Sequence, residues 1–232
     1  MEKKIRNRKP FKYKETNLHY FEKIDSKDKA YFLGLLMSDG ALRKNGFCIN
    51  LEESDSQILQ IFANYLNYKG GLKTIIPKNT NWKTQKSLNI WSIKICNDLQ
   101  KWGIVKNKDF KTYLPPISEE FHSHFIRGVF DGDGCVRIDK RSNSLQFGIV
   151  GFINFIKELQ QVLMKNCDLN EIKLTHCKSN KAETVGLEYS GNKNCKRIYE
   201  WLYKDCEDLY LTRKKEKFEL ILNNYDYRAT TK

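Results

Sequence analysis

The chain has 232 residues, with 41 Lys and Arg against 28 Asp and Glu, for a formal charge of +13 and a pI near 9.3. A hydrophobic fraction of 40% and an aromatic fraction of 12% supply a packed core and exclude a disordered basic tail; no apolar run nears the roughly 18 residues of a membrane span, and the basic start has no apolar stretch behind it, so no secretory leader is expected. Seven cysteines without a Cys-x-x-Cys pair argue against a disulfide framework and a zinc site and for a reducing, intracellular setting.

Residues 1–25 read as a basic N-terminal extension. A helix then begins near Ser26 or Asp28, either of which can cap it, and ends at Tyr31-Phe-Leu-Gly-Leu-Leu-Met-Ser-Asp-Gly40. After it come Ala41-Leu-Arg43, a hairpin signal at Lys44-Asn45-Gly46, and a returning strand alternating Phe47, Ile49 and Leu51. A helix is expected over 55–68, strands over 72–78 and 87–95, and a helix over 96–102. Pro115-Pro116 marks a linker at 111–118.

The order then repeats. Ser118 can start a helix ending Phe125-Ile-Arg-Gly-Val-Phe-Asp-Gly-Asp-Gly134, which matches the first motif without gaps at an offset of 133 − 39 = 94 residues. A hairpin at 141–143, a strand alternating Leu145, Phe147 and Ile149, a helix over 152–165, strands over 171–178 and 183–189, a helix over 193–204 and a basic helix over 212–223 follow. The fold class is therefore α+β: two tandem αββαββα repeats, 26–110 and 119–232, related by a pseudo-two-fold axis, with antiparallel sheets that keep one face open.

Small residues four apart, Gly34 and Ser38 in one helix and Gly128 and Gly132 in the other, lie on one face and let two backbones approach. Packing these helices together brings Asp39 and Asp133 to the same end, where both helix dipoles disfavour negative charge. Two carboxylates held there suit a divalent cation with hard oxygen ligands. With a cationic surface, this points to metal-assisted phosphodiester hydrolysis. Both helices are expected to leave through a left-handed glycine, Gly40 or Gly134. Asp131 has Met37 as its counterpart and is expected to support packing or the local turn. Cys135 reads as a small buried residue, and His122-Ser-His124 as a surface pair.

These paired segments resemble the two motifs of single-chain LAGLIDADG homing endonucleases. Met37 and Ser38 in the first motif and Arg127 in the second depart from the consensus. The resemblance implies that Phe32–Gly40 and Ile126–Gly134 are the interface helices. It also implies that Asp39 and Asp133 are catalytic metal-binding acids, one for each strand of a staggered double-strand break. The expected metal set is Asp39, Asp133, Ser38 and Gly132, holding Mg²⁺, with Mn²⁺ as a substitute and Ca²⁺ supporting binding without cleavage. The family places a Lys near each centre, and aligning the halves nominates Lys108 and Lys214. The partner implied is double-stranded DNA, bound by a monomer with no membrane and no obligate protein partner.

On the open sheet faces, polar residues suited to base edges and phosphates are Arg43, Asn50, Lys73, Lys78, Lys83 and Asn89 in the first half. In the second half they are Arg137, Asp139, Gln146, Lys173, Lys178 and Lys181. An RNA maturase that assists intron splicing, or a silent DNA-binding protein of the same fold, are the alternatives. Lys- and Asn-rich usage suggests an AT-rich bacterial, phage or organellar source, with a free-standing or intron-encoded enzyme expected rather than an intein.

Overall fold

The structure, a computed structural model, describes residues 15–79, 81–105, 113–139, 144–176 and 183–230. The first half contains α1 (Lys27–Asp39), β1 (Gly40–Arg43), β2 (Gly46–Glu52), α2 (Ser56–Tyr65), β3 (Lys73–Ile75), β4 (Gln85–Ile90) and α3 (Ile93–Lys101). The second contains α4 (His122–Asp133), β5 (Gly134–Asp139), β6 (Ser144–Phe152), α5 (Ile153–Cys167), β7 (Thr175–His176), β8 (Thr184–Ser190), α6 (Asn192–Tyr203) and α7 (Thr212–Thr230). The two sheets have orders β1-β2-β4-β3 and β5-β6-β8-β7, and every pairing is antiparallel. The repeat read from the sequence is thus the repeat of the fold.

α1 is apolar over most of its circumference, and Tyr31, Phe32, Leu33, Leu35 and Leu36 are all buried. A helix apolar on every side must be enclosed. It lies between the two cores, one face against its own sheet and another against α4. Each core carries a stack of aromatic rings. Phe32 lies on Phe62 with centroids 4.1 Å apart, and Phe130 lies on Phe147 at 5.1 Å. The alternation in β2 and β6 sends Phe47, Ile49, Leu145 and Phe147 into these cores. The opposite face of each sheet stays open.

Three details differ from the sequence reading. Tyr20, Phe21 and Ile24 are buried, Phe21 packs edge-on against Phe62, and the Trp102 indole donates to the Phe21 carbonyl at 2.7 Å. The chain from about residue 20 therefore belongs to the first repeat rather than to an extension. β4 ends at Ile90, because Ser92 caps α3 by accepting from the Ile95 amide at 3.2 Å. Gly40 and Gly134 are not left-handed: their φ,ψ are −76°, 151° and −82°, 160°. Each passes directly into a strand, and glycine is required sterically. A Cβ would lie 2.3 Å from the Leu36 carbonyl oxygen at position 40 and 2.2 Å from a Phe130 ring carbon at position 134.

Pro115 and Pro116 lie in the irregular stretch before α4, while the hairpin at 141–143 falls outside the described residues. No described helix is long and apolar enough to cross a membrane.

Candidate functional site

α1 and α4 meet through their backbones. A Cβ on Gly34 would lie 2.0 Å from the Phe125 carbonyl oxygen, and one on Gly128 would lie 2.1 Å from the Tyr31 oxygen. Both are far inside van der Waals contact, so only glycine permits this approach. One turn further on, a Cβ on Gly132 would lie 2.0 Å from the Ser38 hydroxyl oxygen and 2.8 Å from Asp39 Oδ2. Residues 31 and 38 thus face 128 and 132, so the helices run parallel and finish at the same end. Asp39 and Asp133 are the last residues of their helices, and both are exposed. The Asp39 carboxylate overlies the residue that precedes Asp133.

Two carboxylates and two helix C-termini concentrate negative charge at this point. Lys214, from the first turn of α7, answers it. The side chain is 8% exposed and donates to the carbonyls of Phe130 at 2.6 Å, Gly132 at 3.2 Å and Gly134 at 2.6 Å. Burial lowers its pKa to about 8, against the opposing pull of Asp131, Asp39 and Asp133. An ammonium has three N–H donors, and three carbonyls receive them here. Lys214 therefore acts on the carboxylates through its charge, from beneath them. Lys108, nominated for the other half, lies outside the described residues.

Behind α4 lies a buried polar network. Arg127 is fully buried; its Nε donates to the Leu209 carbonyl at 2.7 Å and its Nη1 to the Leu202 carbonyl at 2.6 Å. Nη2 lies 2.9 Å from His124 Nδ1, and the guanidinium sits 5.3 Å from the centre of the Tyr31 ring. Arg127 thus lies at the edge of the helix pairing, over Tyr31 and towards the carbonyls of Leu202 and Leu209, which is how a large side chain replaces the small consensus residue. His124 is buried rather than on the surface; burial and then Arg127 hold its pKa down to about 4. Asp131 accepts from the Tyr31 hydroxyl at 2.7 Å and from the Leu211 amide at 2.9 Å. Burial raises its pKa to about 7 despite those bonds.

The open sheet faces carry the residues expected there. Arg43 and Asn50 are exposed, and Lys73 is exposed opposite Ser87. Asn89 stands beside Cys48 and donates to the Ser87 hydroxyl at 2.6 Å. Lys78 and Lys83 are in the β3–β4 connection, where Lys83 pairs with Glu52 at 2.9 Å. On the second sheet, Arg137 donates to Gln146 at 2.7 Å and to Glu188 at 2.5 Å, and Gln146 donates to Ser190 at 3.2 Å. Lys173 is exposed ahead of β7. Cys135 is exposed rather than buried, because it shares this open face beside Gly148. Lys178, Lys181 and the Asp139 side chain lie outside the described residues.

The donor set suits a hard divalent cation. Asp39 and Asp133 offer carboxylate oxygens and the Ser38 backbone oxygen adjoins them, whereas the Gly132 carbonyl, expected in the set, already accepts from Lys214 at 3.2 Å. Among the described residues no three His, Cys, Asp or Glu side chains form a metal cage, so water or ligand oxygens would complete any coordination sphere. The sequence reading singled out the two acids and the four small residues that meet at this end, but gave no such role to Arg127, Tyr31, His124 and Glu188. A signal for one pair was present: at the repeat offset Tyr31 aligns with Phe125, and Met37 with Asp131.

No protein-family model matches the chain. It is 28% identical over 116 residues to the DNA-directed RNA polymerase subunit Rpo1C of Methanocaldococcus jannaschii; the match covers 49% of this chain and only 13% of that subunit. Among solved structures, the I-LtrWI LAGLIDADG homing endonuclease bound to target DNA superposes with a TM-score of 0.59 at 13% identity, covering 92% of each chain. The LAGLIDADG meganuclease I-AabMI bound to uncleaved DNA gives 0.57 at 16% identity, over 87% of this chain and 91% of that one. The homing endonuclease I-GzeII in complex with its DNA target gives 0.55 at 12% identity, over 87% and 91%.

Proposed function

We propose that this chain, which has the fold of the LAGLIDADG homing endonucleases, is a site-specific endonuclease acting on double-stranded DNA as a monomer. It hydrolyses one phosphodiester in each strand and leaves a staggered break. The observation that carries this reading is the meeting of Asp39 and Asp133 at the common end of α1 and α4, with the open faces of two sheets beside them. Neither a splicing cofactor nor a silent DNA binder needs two carboxylates held together at a cost in repulsion.

In this reading Asp39 and Asp133, with the backbone oxygen of Ser38, would hold Mg²⁺ or Mn²⁺, while the Gly132 carbonyl, expected to join them, is taken by Lys214. Such an ion, when bound, offsets phosphate charge and makes water a better nucleophile. Lys214 lowers the repulsion beneath the acids, and Lys108 is its assigned counterpart in the first half. Arg43, Asn50, Lys73, Asn89, Arg137 and Gln146 face the DNA and divide phosphate anchoring from base readout. The net charge of +13 draws the polyanion to both sheets.

The test is incubation of the full chain with a library of randomised duplex sites, in Mg²⁺, in Ca²⁺ and in chelator, with recovery of new ends. The reading predicts ends from one related set of sites in Mg²⁺ and protection without cutting in Ca²⁺. Cutting that persists in chelator, or no site recovered in Mg²⁺ or Mn²⁺, would overturn it.

A further inference from the structure

The pseudo-two-fold axis is broken by one exchange of paired residues. Tyr31 and Asp131 cross the α1–α4 seam with a hydroxyl-to-carboxylate bond of 2.7 Å. Their counterparts at the 94-residue offset are Phe125 and Met37, which have no polar group to exchange. Phe125 is fully buried, and Met37 joins Leu36, Ile104 and Val105 around a cavity of about 90 Å³ that also reaches Ser38 and Asp133. At these paired positions one side of the seam is polar and the other apolar.

The polar side reaches further. Asp131 Oδ2 also accepts the Leu211 amide at 2.9 Å. Leu211 is the residue before α7, and its carbonyl receives the amides of Lys214 at 2.9 Å and Lys215 at 3.1 Å. A grip on Leu211 consequently fixes the turn that carries Lys214. The grip is costly: Asp131 is fully buried and, among the described residues, its Oδ1 has no hydrogen-bond partner. A buried acceptor left unpaired loses its hydration with nothing in return, and the other half manages its packing with a thioether.

We propose that Tyr31 and Asp131 are positioning residues: a one-sided latch that seats Lys214 under the end of α4. The seating follows from the bonds just described; its consequence for catalysis rests on the endonuclease reading. Lys214 touches the carbonyls on either side of Asp133, so the latch supports the Asp133 end more than the Asp39 end. The two strands are then cut with unequal dependence on Tyr31 and Asp131.

The seating is tested without DNA, by acylating the lysines of the full chain with acetic anhydride and following each lysine by mass spectrometry. In wild type Lys214 reacts far more slowly than exposed Lys173. Asp131→Ala should speed Lys214 at least tenfold and Tyr31→Phe at least threefold, while Asp131→Asn, which keeps an acceptor oxygen, stays near wild type. An unchanged Lys214 rate in Asp131→Ala overturns the latch. A rise shared by the half-buried Lys29 and Lys86 in that variant reports unfolding, and Tyr31→Phe, which removes one hydroxyl, then decides: no change in its Lys214 rate overturns the latch equally. On a selected DNA site with each strand labelled, Tyr31→Phe and Asp131→Ala should slow one strand at least tenfold more than the other. Equal slowing contradicts the asymmetry. A wild type that cuts no DNA ends the endonuclease reading, while the acylation rates still decide the latch.

Discussion

Lys214 holds a position that few lysines tolerate. It is nearly enclosed, surrounded by carbonyl oxygens, and held near two carboxylates whose attraction partly offsets the loss of hydration. His124 is buried beside a cation instead. Its pKa falls from an ordinary value near 6.5 to about 4 because burial and Arg127 disfavour the imidazolium. Between those values the unfolded chain binds a proton that the folded chain refuses, so stability falls as pH drops from 6.5 towards 4. The separation corresponds to about 3 kcal/mol at most. Urea unfolding of wild type against His124→Gln at pH 7 and pH 4.5 should show the wild type losing more, by about 1–3 kcal/mol; parallel losses would contradict the assignment. Gln146 and Glu188 fix the Arg137 guanidinium in the open face, where the proposed DNA binding gives it a base edge to read. Arg137→Ala should relax preference at one base pair by about 1–3 kcal/mol; a uniform loss over all sites would mark it as a phosphate contact.

At the scale of elements, the seam between α1 and α4 carries the site. Its legibility came from four small residues at helical spacing, a pattern with one steric reading. Gly128→Ala places a methyl carbon 2.1 Å from the Tyr31 oxygen, whereas Gly186→Ala meets nothing nearer than 3.8 Å. The first should cost at least about 2 kcal/mol, at the level of overpacked cores, and the second well under 1 kcal/mol; equal costs in denaturant titrations would refute backbone contact at the seam. The strand alternation that put Arg43, Asn50, Arg137 and the half-buried Gln146 on the open faces was equally legible, because a period of two assigns faces without knowledge of partners. What sequence could not give was the direction of Arg127 and His124. Their partners are backbone carbonyls and side chains some 75 to 82 positions away or on the far side of one helix turn, and no local pattern announces a buried cation satisfied by carbonyls. The glycines after each Asp were legible as necessary, yet for the wrong reason: close packing excludes a side chain there, and the backbone stays extended.

For the whole molecule, two repeats place two open sheets on either side of one seam, and the charge of +13 is spread over both halves. Binding that engages both sheets neutralises many phosphates. Duplex affinity should then fall about 10³-fold or more between 50 and 200 mM salt, as for six or more phosphate contacts; less than a tenfold fall would limit the DNA to one sheet. The account depends above all on Asp39 and Asp133 acting together on one duplex. Its most direct test is strand-resolved cleavage of a selected site in Mg²⁺ by wild type, Asp39→Asn, Asp133→Asn and the double variant, with binding measured in Ca²⁺. The account predicts that each single substitution lowers cleavage at least 10²-fold, that the double variant is inactive, and that all four proteins bind with affinities within about tenfold. Cleavage by the double variant at the wild-type rate would contradict it.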